Sequence, residues 1–171
     1  MEHYPFMEVK FEQVVHEIEA ITKVEFEGVC NAVETCDRYQ YIGGRTGGRK
    51  NRYRPYLVDA FKLFLYTGLR LEEGLSLSWE SIYRIEGGDG YMIVTDNLKV
   101  ERMTNKRYKK KYIPVHEDLA ILLNELGWQE SKGSSHFIIE PFRTVTLKTM
   151  MNDCSKGFSH YYRQAFPHKS N

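Results

Sequence analysis

Apolar positions along the chain follow a helical period up to about residue 80, a strand period from Ile82 to Val115, and a helical period again afterwards. Residues 8–21 place Phe11, Val14, Val15, Ile18 and Ile21 on one face, with the acids mostly on the other. Thr22-Lys-Val-Glu25 reads as a capping box that opens a second helix, whose buried stripe is Phe26, Val29, Cys30 and Val33. Residues 38–54, rich in Gly and Arg, read as a mobile basic loop. Pro55 then suits the first turn of a helix carrying Leu57, Phe61, Phe64 and Leu65 on one face, and Gly68 supplies its left-handed stop. A short helix follows with Leu71, Leu75 and Trp79. Gly87-Gly-Asp-Gly90 separates two strand-like runs and predicts a hairpin, and Tyr112-Ile-Pro-Val115 adds a third strand whose Pro114 suits a sheet edge. Helices over 116–126 and 146–165 complete the pattern. The expected class is α+β, mainly helical, with a small three-stranded antiparallel sheet.

Composition narrows the field. The 171 residues are 42% hydrophobic and 27% charged, enough for one domain with a sizeable core. No run approaches the ~20 apolar residues of a membrane span, and the opening Met-Glu-His-Tyr-Pro lacks a signal-peptide plan. Cys30, Cys36 and Cys154 are odd in number and form no C-x-x-C pair, so neither a disulfide scaffold nor a zinc site is expected. His3, His16, His116, His136 and His168 show no metal-ligand spacing either. A soluble, cytoplasmic domain is the expectation.

The formal net charge of +1 hides a division. Residues 1–37 carry nine acids and two bases. Residues 45–54 carry Arg45, Arg49, Lys50, Arg52 and Arg54 with no acid, and residues 98–111 carry seven bases against Glu101 alone. Clustered bases with interleaved Tyr53 and Tyr108 suit a phosphate backbone, so these basic residues, with Arg107, Lys109, Lys110 and Lys111, are candidate DNA contacts. Solvated loops balanced by the acidic N-terminal region are the alternative. Gly43-Gly-Arg-Thr-Gly-Gly48-Arg-Lys fails as a P-loop, because Arg49 and Lys50 stand where Lys and Ser or Thr are required.

One stretch is more specific. Leu63-Phe-Leu-Tyr-Thr-Gly-Leu-Arg-Leu-Glu-Glu-Gly-Leu-Ser-Leu-Ser-Trp-Glu-Ser-Ile82 resembles the first catalytic motif of the tyrosine recombinases, or phage integrases. That motif runs from an apolar helix through T-G-L-R to an acid three positions later, spaced leucines, a Trp and a turn into a small sheet. Here the Arg is Arg70, the acid Glu73, and the tail Leu75, Leu77, Trp79 and Ile82. A guanidinium fixed on a tight turn can bind two oxygens of one phosphate and stabilise a pentacoordinate transition state. The alternative is that Arg70 only pairs with Glu73 or caps the preceding helix.

The resemblance further implies a lysine eight residues before the proline of the Ile-Pro strand, which is Lys106, as general acid for the 5′-hydroxyl leaving group. Met103-Thr-Asn-Lys106 offers another register, and neighbouring bases could serve as backbone contacts or solvent-facing charge. The family's H-x-x-R box has one match, His160-Tyr-Tyr-Arg163, for which a partly exposed helical His and Arg is the alternative. The nucleophilic tyrosine of the family lies tens of residues beyond that box. The resemblance thus covers residues 22–171 as the first two thirds of a catalytic domain, in one partial domain over 1–171. It implies double-stranded DNA as partner, a homo-oligomer of the full-length protein on DNA, and neither metal nor nucleotide cofactor. The chain itself is expected to bind DNA weakly and not to cleave it. A non-catalytic DNA-binding or regulatory module with a degenerate integrase fold is the rival expectation.

Overall fold

The computed structural model describes residues 20–43, 47–97 and 110–169. Six helices, two antiparallel sheets and two 3-10 turns make up these residues. Among them no helix is long and apolar enough to cross a membrane. The helix expected over 8–21 falls outside the described residues, apart from its last two positions.

Helix α1 (Lys23–Thr35) starts at the expected capping box: Glu25 N–H donates to Thr22 Oγ1 at 3.2 Å, and the Thr22 amide donates to Glu25 Oε2 at 2.8 Å. Phe26, Val29 and Val33 are buried along it, while Cys30 is half-buried. Helix α2 (Leu57–Thr67) buries Leu57, Ala60, Phe61 and Leu63 and ends at Gly68, whose φ of 64° is left-handed. Leu65, expected inside, is exposed, because the buried arc of α2 is centred on Leu57, Ala60 and Phe61. Helix α3 (Leu71–Leu75) follows after three residues, and a 3-10 turn over Trp79–Ser81 carries the chain into the sheet.

Strands β3 (Ile82–Arg84), β4 (Tyr91–Asp96) and β5 (Lys110–Pro114) form the expected antiparallel sheet in the order β3-β4-β5. Ile82 pairs with Ile93 and Ile93 with Ile113, and Pro114 ends the edge strand β5. Helices α4 (Glu117–Glu125) and α5 (Trp128–Ser131) bring Leu119, Leu122, Leu123 and Trp128 into the core. The long α6 (Leu147–Ala165) packs against α1, α2 and α3 and buries Met150, Cys154 and Tyr161.

Residues 38–54 correct the expected loop. Strands β1 (Tyr39–Ile42) and β2 (Gly48–Asn51) form a second antiparallel hairpin, with Gln40 opposite Lys50 and Tyr41 opposite Arg49. No strand period announces it, because nearly every position of both strands faces solvent. Side chains hold it instead: Arg49 lies over the Tyr39 ring at 5.1 Å, Arg38 over Tyr53 at 4.2 Å, and Arg52 Nε donates to Gln40 Oε1 at 2.7 Å.

Candidate functional site

Arg70 is set by the backbone around it. Gly68 turns the chain left-handed and closes α2 through its N–H to the Phe64 carbonyl at 2.9 Å. Thr67 Oγ1 donates to the Leu63 carbonyl at 2.6 Å, sealing the same helix end. Leu69 is buried, so the next side chain points outward, and Arg70 stands at the N-cap of α3 with its side chain 53% exposed. Arg70 O accepts the Gly74 amide at 2.8 Å, and the Arg70 amide donates to Glu73 Oε2 at 3.1 Å. The residue is therefore fixed at its backbone and open at its guanidinium.

Glu73 organises the turn. Its side chain is 1% exposed. Lys111 Nζ, from the second residue of the edge strand β5, donates to Glu73 Oε2 at 2.5 Å, while Arg70 Nη1 lies 3.5 Å from Oε1. Burial pushes the Glu73 carboxyl up; the Lys111 ammonium, the Arg70 amide and the Arg70 charge outweigh it and hold the group below its ordinary value. Oε1 makes no hydrogen bond. Behind the turn, residues 134–143 run alongside 77–80: Trp79 N–H donates to the His136 carbonyl at 3.1 Å, Ile138 N–H to the Leu77 carbonyl at 2.9 Å, and Arg143 Nη2 to the Leu75 carbonyl. Arg143 also lies over the Phe137 ring. Arg143 thus holds the C-terminal end of α3, and the other two bonds hold the segment that follows it.

The basic residues divide into two groups. Arg49, Lys50 and Lys110 project into solvent, with Arg49 3.5 Å from Asp37 and Lys110 4.0 Å from Asp96. Arg52, Arg54 and Lys111 are engaged internally. Arg52 is 9% exposed. Arg54 Nε donates to the buried Asp153 at 2.8 Å and its Nη1 to the Tyr53 carbonyl at 2.7 Å. Arg45, Lys106, Arg107 and Lys109 lie outside the described residues. A cavity of about 310 Å³ beside Glu73 is lined by Glu80, Asp96 and Lys110, and Arg70 is not part of its lining.

His160 and Arg163 do not join that turn. His160 is 7% exposed, with Nε2 2.9 Å from the Asp37 carbonyl and 2.7 Å from Gln164 Nε2. It ties α6 to the chain leaving α1. Arg163 is exposed and borders a cavity of about 610 Å³ with Glu25, Tyr162 and Lys169, which contains none of Arg70, Glu73 and Lys111. Lys169 donates to Glu25 Oε1 at 2.8 Å, and this bond, with those from Thr22, depresses the Glu25 carboxyl to about 2. Burial pushes the Cys154 thiol up to about 12, so it is an inert core group. The described residues hold no cluster of three metal-ligating side chains.

Two buried polar contacts are not apparent from charge and motif, although the burial periodicity signals both. In β5, exposed positions Lys110, Tyr112 and Pro114 alternate with half-buried Lys111 and Ile113, so Ile113 marks Lys111 as inward-facing. In α6, Met150, Asp153, Cys154, Gly157, His160 and Tyr161 share one buried stripe, which places Asp153 and His160 inside. Scans against protein-family profiles, curated proteins and solved structures gave no match to this chain.

Proposed function

We propose that this chain forms the arginine-bearing part of a tyrosine recombinase-like catalytic domain, which engages double-stranded DNA and stabilises a phosphodiester during strand cutting and rejoining. The observation that carries the reading is Arg70: a guanidinium more than half exposed on a turn whose backbone is locked by Gly68 and the buried Glu73. The order of elements around it supports the same reading, since α2, the Arg70 turn, α3 and Trp79 lead directly into a three-stranded antiparallel sheet. In that role Arg70 binds two non-bridging oxygens of the scissile phosphate and offsets the charge that builds on them. Lys106, in the connection from β4 to β5, is the proposed proton donor to the leaving 5′-hydroxyl. Glu73 fixes the turn by accepting the Arg70 amide, and Arg49, Lys50 and Lys110 supply backbone contacts to DNA.

The nucleophile is not proposed among the tyrosines of α6. Tyr161 is fully buried, and burial pushes its hydroxyl above its ordinary value. The 171-residue chain is therefore proposed to bind DNA without forming a covalent adduct. A second reading, a binding or regulatory module with a degenerate integrase fold, is favoured by the internal engagement of His160, Arg52 and Arg54.

The test is duplex DNA binding by fluorescence anisotropy across a salt series. Arg70→Ala should weaken binding by roughly 10–100-fold, the range of a charge-assisted bidentate contact, and reduce the salt slope by about 0.9. Salt-insensitive binding, or binding indifferent to Arg70→Ala, would sink the recombinase reading. Adduct formation on a nicked suicide duplex would sink the expectation that this chain binds DNA without covalent attachment.

A further inference from the structure

We propose that Lys111 is a positioning residue that keeps Arg70 free for an anion, by giving the buried Glu73 carboxylate its counter-charge from the sheet. The proposal rests on the reading of Arg70 as a phosphate ligand and explains why an acid beside that arginine does not consume it. A carboxylate with 1% of its side chain exposed requires a partner, because an unpaired charge is costly to bury. Among the described residues two cations pair with it, and they differ in geometry. Lys111 Nζ is 2.5 Å from Oε2 and its side chain is 26% exposed. Arg70 Nη1 is 3.5 Å from Oε1, makes no hydrogen bond to it, and its side chain is 53% exposed. The ammonium neutralises the acid, and the guanidinium only leans on it.

Removal of Lys111 changes that division. Glu73 then has Arg70 as its one neighbouring cation of the pair, with Oε1 already unbonded and facing it. A guanidinium fork matches two carboxylate oxygens, so Arg70 closes on Glu73 and withdraws from solvent. Lys111 sits in β5, at the far end of the connection that carries Lys106, so the strand that delivers the proposed proton donor also sets the availability of the phosphate ligand. By linkage, an anion held on Arg70 strengthens the Lys111–Glu73 pair to the same degree.

The experiment needs no DNA. The rate of phenylglyoxal modification of Arg70, followed by peptide mass spectrometry, reports the availability of its guanidinium, with Arg84, 70% exposed on the same sheet, as internal reference. Lys111→Met and Lys111→Gln should slow modification of Arg70 about tenfold, the scale of one charge-assisted hydrogen bond, and leave Arg84 unchanged. Lys111→Arg and the double variant Glu73→Gln/Lys111→Met should react at the wild-type rate. Loss of structure would accelerate modification, so it cannot imitate the expected result. An unchanged or faster rate in both neutral variants overturns the proposal, as does a double variant as slow as Lys111→Met. In DNA binding, a mere phosphate contact by Lys111 predicts that the double variant stays weak; the positioning role predicts recovery. If Arg70→Ala leaves DNA binding intact while the modification rates follow the pattern above, the DNA reading fails and the role of Lys111 stands.

Discussion

Arg54→Met separates structural bases from DNA-contacting ones within the Arg-rich segment. Arg54 reaches Asp153 through Nε at 2.8 Å and the Tyr53 carbonyl through Nη1 at 2.7 Å, while Asp153 has 6% of its side chain exposed. Methionine keeps the aliphatic stem but leaves Asp153 with the Tyr56 hydroxyl at 3.3 Å as its remaining side-chain bond. Breaking a fully buried pair costs roughly 3–5 kcal/mol. Because the Arg54 side chain is 32% exposed, water recovers part of that loss, and about 2–3 kcal/mol is the expected cost. For a chain of this length that lowers the melting temperature by roughly 5–10 °C. Urea unfolding at constant m value gives the free-energy change directly, and Arg54→Met/Asp153→Asn should recover about half of it by removing the stranded acid. The companion measurement is the DNA salt slope, which should not move in Arg54→Met and should fall by about 0.9 in Lys50→Ala. A destabilisation below about 0.5 kcal/mol, the range of an ordinary surface change, together with a reduced salt slope, would show that Arg54 serves DNA and not the fold.

Two further outcomes follow from the geometry. Gly68→Ala places a side chain at φ 64°, so it should cost about 1 kcal/mol in urea unfolding and weaken DNA binding beyond that by tilting Arg70; unchanged stability would remove the left-handed turn from the account. Glu25 has a folded value of about 2, below its ordinary 4.5, so its contribution is present above about pH 4.5 and is lost as pH falls towards 2. Lys169→Met should flatten the acid limb of a stability-versus-pH curve, and an unaltered limb would assign acid sensitivity to other carboxylates.

The elements with one buried face were legible in the sequence, and the elements without one were not. Helix α1 begins at Thr22 because both halves of its capping box are local, and β3, β4 and β5 carry enough Ile and Val to declare a strand period. The hairpin of β1 and β2 is exposed along nearly its whole length, so cross-strand partners such as Arg49 over Tyr39 define it, and these are invisible to periodicity. At the site, Arg70 and Glu73 are three residues apart and could be read together. Lys111 is 38 positions from Glu73 and sits within a basic run, so its charge suggested DNA while its register pointed inward. Arg54 and Asp153 are 99 positions apart, and no local signal pairs them. Charge counting identifies how many bases a segment has; only tertiary contact shows which of them are already spent.

The start of α1 and the turn after α6 are joined: Glu25 accepts from Lys169 at 2.8 Å and from the Tyr162 hydroxyl at 3.3 Å. That carboxylate is one of several ties between α1 and α6, beside their helix packing and the His160 contact with the Asp37 carbonyl. Cleavage at the exposed Gly87-Gly88 turn would leave Arg70 on one segment and Lys111 on the other. The two cations that share Glu73 would then meet only through the packing of two separate segments.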